Sequence, residues 1–156
     1  RADMANGDDI KALISSTVAE LGGLDVAHGG TDVVYGEDKC FQWNGDECQS
    51  FRQVLVTYPL DPPPGATPTQ ITPTEEFDGA HRPQWSWDQR KIAFHAYPSG
   101  RLDRAQIYVV GRDGSGLTQL TFESEGQNGA TAPNWSPGNS RMYTFPTRID
   151  SPGIFG

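Results

Sequence analysis

The 156-residue chain has no run of about 18 consecutive apolar residues, so no membrane-spanning helix is expected, and any membrane association would come through partners or other segments. Basic side chains are in short supply: 12 Lys and Arg face 20 Asp and Glu, giving a formal net charge of -8. Binding to a phosphate backbone needs a basic surface that displaces counterions, so nucleic acid is excluded as a partner class. Histidine is scarce as well. His28, His81 and His95 lie far apart, with neither i, i+4 spacing nor a His-x-Glu context, and read as surface or loop residues rather than metal ligands.

Catalytic constellations are missing in the same way. No Gly-x-Ser-x-Gly elbow occurs, and Gly114-Ser115-Gly116 falls in a hairpin turn rather than between a strand and a helix. Residues 113–116 and 44–47 carry oxygen ligands without the alternating spacing of a calcium loop, so they read as ordinary turns. Glu75, Glu76, Glu123 and Glu125 read as solvated loop charges. No catalytic, cofactor-binding or metal-ligating residue is assigned, no cofactor is expected, and the chain is expected not to be an enzyme.

What the chain has in quantity is glycine and proline, 18 and 12 residues, beside only 35% hydrophobic residues. That balance favours short strands and many turns over helices. The two cysteines, Cys40 and Cys48, flank Asn44-Gly45, a hairpin dipeptide that brings their Cα atoms within bridging reach. A disulfide is the preferred reading, over two free buried thiols or half of a metal site, and it points to an oxidising compartment. One amphipathic helix is expected over residues 8–21, from the spacing of Ile10, Leu13, Ile14, Thr17, Val18 and Leu21 and the stop at Gly22-Gly23. Its apolar face must rest on the β domain or on a partner.

Strands are expected at residues 31–35 and 53–58 around the cysteine loop, then at 84–86, 91–96, 106–110 and 117–121. The proline-rich residues 61–68 are expected to be a loop, because proline lacks the amide donor a central strand requires. Pro83-x-Trp85-Ser86 followed by Lys91-Ile92-Ala93-Phe94 returns fifty residues later as Pro133-x-Trp135-Ser136 followed by Arg141-Met142-Tyr143-Thr144-Phe145. Residues 54–61 pair in the same way with 107–113, and Gln70-Ile71-Thr72 with Gln119-Leu120-Thr121. A period near fifty with four strands per unit is the pattern of a propeller blade.

These motifs, together with Ile107-Tyr108-Val109-Val110 and Asp113-Gly114-Ser115-Gly116, resemble the TolB-like, WD40-like β-propeller repeat. The resemblance implies that Trp85 and Trp135 pack between blades. It departs from the family's Pro-Asp-Gly turn, which here reads Trp87-Asp88-Gln89 in one copy and Pro137-Gly138-Asn139 in the other.

The expected architecture is all-β, a partial propeller of about two and a half four-stranded blades with one N-terminal helix. Residues 1–24 form the helical segment, 25–72 a partial first blade, 79–121 a complete blade and 130–156 the start of a third. A closed ring needs at least four blades. Further blades are therefore expected beyond Gly156 or from another chain, in preference to an open ring whose end is capped by the helix. The function expected is that of a non-enzymatic, periplasmic or secreted interaction scaffold, an accessory subunit of a larger assembly whose partners are proteins. The alternatives are the propeller portion of a prolyl-oligopeptidase-like serine hydrolase, or a carbohydrate-binding propeller. Contact residues are expected at Trp87, Tyr97, Arg101, Arg104 and Trp43, with residues 97–104 the first choice for a contact loop.

Overall fold

A computed structural model describes residues 26–102, 104–122, 129–145 and 148–149. The helix expected over residues 8–21 lies outside the described residues. Everything described in a regular element is strand, apart from one short 3-10 turn, Pro137–Asn139.

The first unit is an antiparallel meander of β1 (Val26–Gly29), β2 (Asp32–Asn44), β3 (Glu47–Pro59) and β4 (Thr69–Gln70). The second repeats that order with β5 (Phe77–Trp85), β6 (Lys91–Pro98), β7 (Gln106–Gly111) and β8 (Thr118–Gln119). A third opens with β9 (Thr131–Trp135), β10 (Met142–Phe145) and β11 (Arg148–Ile149). Between the sheets of the first two units runs a single parallel bridge among the described residues, Gln53 with Gly79. The proline-rich stretch between β3 and β4 is a loop, turning at Gly65.

The second unit explains the near-continuous apolar run Ile92-Ala93-Phe94-His95-Ala96. Side chains alternate across a strand, and here both faces are covered. Ile92, Phe94, Ala96, Tyr108 and Val110 point toward the first unit and join Val34, Leu55, Ile71, Phe77 and Ala80 in one core cluster. Ala93, Ile107 and Val109 point the other way, into a second cluster with Ala130, Trp135 and Met142 of the third unit. A four-stranded sheet is too thin to bury its own faces, so the core lies between sheets rather than inside one.

The fifty-residue repeat is exact in hydrogen bonding. Ser86 N donates to Lys91 O, and Ser136 N to Arg141 O, both at 2.9 Å. The hydroxyls of Ser86 and Ser136 then accept from the nitrogens of Lys91 and Arg141 at 3.0 and 2.9 Å. Gln89 and Asn139 close the two turns with φ of 59° and 58°, and the bulges at Arg82 and Ala132 match at 49° and 51°. The family's glycine position in the turn is thus held in the left-handed region by Gln89 and Asn139. Trp85 lies opposite Ile92 and Trp135 opposite Met142, so the tryptophans occupy corresponding places in adjacent sheets.

Two expectations differ from the structure. The pairing of residues 54–61 with 107–113 is out by one at its start: Val56 opposes Gln70 as Tyr108 opposes Gln119, which equates Leu55, not Val54, with Ile107. A slip of one would send every side chain to the other face. His81 and His95 are not surface or loop residues. They lie directly opposite each other in β5 and β6 with ring centroids 5.6 Å apart, and His95 is buried.

Candidate protein-interaction surface

The sheets have two ends, and they differ in chemistry. At one end, where β5, β7 and β3 finish, a groove of about 880 Å³ lies between the first two units. Six charged side chains of balancing sign line it, Asp32, Asp88, Asp113, Arg90, Lys91 and Arg112, and Tyr58 is the one aromatic ring lining it among the described residues. Arg112 is ion-paired to Asp32 and donates to Thr31 Oγ1 at 2.7 Å, which ties the two units together. The hydroxyl of Ser86 holds the Asp88 carboxyl below its ordinary value, and the hydroxyl of Ser115 does the same for Asp113. These carboxylates are committed to shaping turns.

The other end is apolar. Eight large hydrophobic residues are exposed among the described residues, and five of them lie here: Phe41, Trp43, Phe51, Leu102 and Phe122. Three belong to an arm. β2 and β3 are each 13 residues long, yet β1 covers β2 only over residues 32–35, β4 covers β3 at Val56 and Thr57, and β5 meets it at Gln53. Residues 37–52 therefore run past their neighbours as a two-stranded ribbon, among the described residues.

A ribbon of two strands is marginal alone in water. Here it is stapled. Cys40 and Cys48 form a disulfide with Cα atoms 5.7 Å apart. The turn closes on Gly45-Asp46 between the paired residues Asn44 and Glu47, with Gly45 at φ 63°. The expected centre, Asn44-Gly45, is therefore shifted by one, and glycine takes the first central position, where a primed turn requires positive φ. Cys40 opposes Phe51 and Cys48 opposes Trp43. Directly opposed residues share a face, so the disulfide fixes the face on which Trp43 and Phe51 stand, 63% and 61% exposed.

Arg52 anchors the base of the arm. Its guanidinium pairs with Asp78 at 2.9 Å, donates to Thr74 O and Ser99 Oγ at 3.0 Å, and covers the Phe41 ring at 3.3 Å. Ser99 belongs to the loop after β6, and Asp78 also accepts from Gly100 N at 2.7 Å. One arginine thus joins the arm to the 97–104 loop. Tyr35, in β2 opposite Val56, is raised above the ordinary tyrosine range, first by burial and then by the nearby Glu37 and Tyr58.

The structure brings some of the expected contact residues together and separates others. Trp43 tips the arm, and Arg101 and Arg104 line a hollow of about 260 Å³ with Phe122 at the same end. Tyr97 is half-buried, its ring edge-on to His81 and His95 at 6.0 Å. Trp87 is 64% exposed but sits at the opposite end, its nitrogen donating to Asn139 Oδ1 at 2.7 Å. Leu102 falls within the 97–104 loop expected to make contacts, whereas sequence reasoning missed Phe51 and Phe122, which follow apolar strand-like runs and resemble core residues. Phe51 stands on the arm, whose two 13-residue strands outrun the two- to nine-residue strands of the other described elements.

No family model matches the sequence, and no curated protein matches it. Solved structures do. A protein assigned as TolB from Agrobacterium tumefaciens aligns over 78% of this chain at 23% identity with a TM-score of 0.53. TolB from Acinetobacter baumannii aligns over 77% at 14% identity with a TM-score of 0.44. The chain spans only 35% and 37% of those two proteins' lengths. At this level of identity the likeness is one of fold: the chain is an all-β protein with a TolB-like β-propeller architecture.

Proposed function

We propose that the chain is a non-enzymatic, extracytoplasmic interaction scaffold, a TolB-like propeller segment that serves a larger assembly as an accessory subunit. Its blades are taken as residues 25–72, 79–121 and 130–156. The observation that carries the reading is the gathering of five exposed apolar residues on one rim, with three of them on a disulfide-stapled arm. Exposed apolar patches on a folded surface mark contact sites, and Trp is the residue most enriched where partners gain their binding energy. The disulfide fits an oxidising compartment such as the periplasm or the exterior.

The outer face of the third unit supports a larger assembly as well. Tyr143 corresponds in register to Ala93, whose face the third unit covers, yet Tyr143 is 48% exposed. A further blade, from the same polypeptide or another, would cover it.

The carbohydrate alternative is disfavoured because the groove between the first two units offers a single aromatic ring for sugar stacking among the described residues. The test is affinity capture with the oxidised protein as bait. A partner that wild type and Trp87→Ala retain, and that Trp43→Ala and Phe51→Ser lose, supports the reading. Equal retention by all four proteins overturns it.

A further inference from the structure

We infer that the arm rim receives a protein partner presenting basic residues around an apolar anchor. This rests on the reading of that rim as a contact surface, and it follows from the sorting of charge there. Lys39 is paired with Glu37 at 2.9 Å, and Arg52 is spent on Asp78 and the loop behind it. Asp38, Asp46 and Glu47 stand exposed on the arm that carries Phe41, Trp43 and Phe51, and Glu75 and Glu76 stand exposed in the loop beside its base. Glu75 is placed against the arm by its carbonyl, which accepts from Arg52 at 3.3 Å.

The rim therefore has an apolar centre and an acidic border, the usual layout of a docking patch. Complementary charge on the partner would speed encounter and exclude wrong partners, while burial of Trp43 and Phe51 supplies affinity. A second copy is opposed by the like charge of the border and a net charge of -8. An anionic leaflet is opposed for the same reason. Arg101 and Arg104 sit across the loop, facing the hollow with Phe122, and leave the arm's own border acidic.

Three labelled 15-residue synthetic peptides serve as probes against the full, oxidised chain: leucine with lysine, leucine with glutamate, and serine with lysine. Fluorescence anisotropy is expected to show binding of the leucine-lysine peptide alone. Trp43→Ala should weaken it about 10-fold. Glu47→Gln should weaken it about 3-fold and flatten its dependence on salt, since a rim charge acts mainly on encounter. Trp87→Ala, at the other end, should leave it unchanged. Equal binding of the leucine-glutamate peptide, no binding of any peptide, or indifference to Trp43→Ala overturns the inference. So does uptake of the chain by phosphatidylcholine vesicles through Trp43, or a dimer in native mass spectrometry that Trp43→Ala dissolves. Should affinity capture stay dependent on Trp43 and Phe51 while the peptides show no preference for lysine, the contact reading stands and the inference about charge falls.

Discussion

Thr72 and Thr121 do the same work in successive units: each Oγ1 accepts from a main-chain nitrogen, Leu55 N at 2.8 Å and Ile107 N at 2.9 Å. Both threonines are buried, and Thr121 Oγ1 also donates to Gln106 Oε1 at 2.8 Å. Valine has threonine's shape without the acceptor. Thr121→Val should therefore strand a buried N–H and cost about 1–3 kcal/mol in a denaturant titration. Thr72→Val should cost less, because no second side chain loses its donor. Equal, negligible losses would show that water replaces the hydroxyl.

The bulge at Ala132 offers the opposite change. Its φ of 51° is one that L-residues resist, and Arg82 repeats it at 49°. Glycine accepts this region freely, while an alanine there carries a cost of about 1 kcal/mol. Ala132→Gly should raise the melting temperature by about 3 °C. A fall would mean that the Ala132 methyl contributes more by packing than the backbone loses by strain.

How far these features are visible in the sequence depends on their range. Trp-Ser, the Gln-Ile-Thr and Gln-Leu-Thr triplets and the apolar runs are local signals, and each marks a repeated bond or a doubly buried strand. The offset of Leu55 from Ile107 was not legible, because Val54, Leu55 and Val56 are interchangeable apolar residues and only the partner strand fixes their register. The pairing of His81 with His95 was hidden by a bulge between His81 and Gln84 that resets the count. The apolar rim is the least local feature. Phe41, Phe51, Leu102 and Phe122 come together only because three different turns end at one edge of the sheets.

Trp135 and Trp85 hold corresponding positions but not equal burial. Trp135 is 5% exposed and its Nε1 donates to Gln84 O at 3.0 Å, bridging two units. Trp85 is partly buried, with the Arg112 guanidinium 5.9 Å from its ring. Trp135→Ala should cost about 3–5 kcal/mol and Trp85→Ala roughly half as much. Trp135→Phe keeps most of the ring and should lose about 1 kcal/mol with the hydrogen bond. A larger loss at Trp85 would reverse the assignment of the tighter interface.

Asp88 gives a pH dependence with a definite sign. Its folded value is depressed, chiefly by the Ser86 hydroxyl at 2.6 Å. The unfolded chain therefore binds the proton first as pH falls, so the stabilisation is complete above the ordinary aspartate value of 3.8 and is lost below it. Thermal midpoints should fall between about pH 4 and pH 2, and the fall should be shallower for Asp88→Asn. Parallel curves for the two proteins would show that Asp88 does not contribute.

The disulfide should govern the arm rather than the blades. Closing so short a loop contributes about 2–3 kcal/mol in the chain-entropy model, but residues 40–51 pair only with each other among the described residues. When the bond is lost, the ribbon can open locally while Leu55, Phe94 and Val110 stay in their cluster. Local opening exposes amides without global unfolding. In Cys40→Ser/Cys48→Ser, hydrogen exchange at Phe41, Trp43 and Phe51 should quicken by about 10-fold or more, while Ile92 and Ile107 keep their protection. Uniform acceleration through all strands would show that the arm and the blades unfold as one unit, which would remove the arm's independence as a contact element.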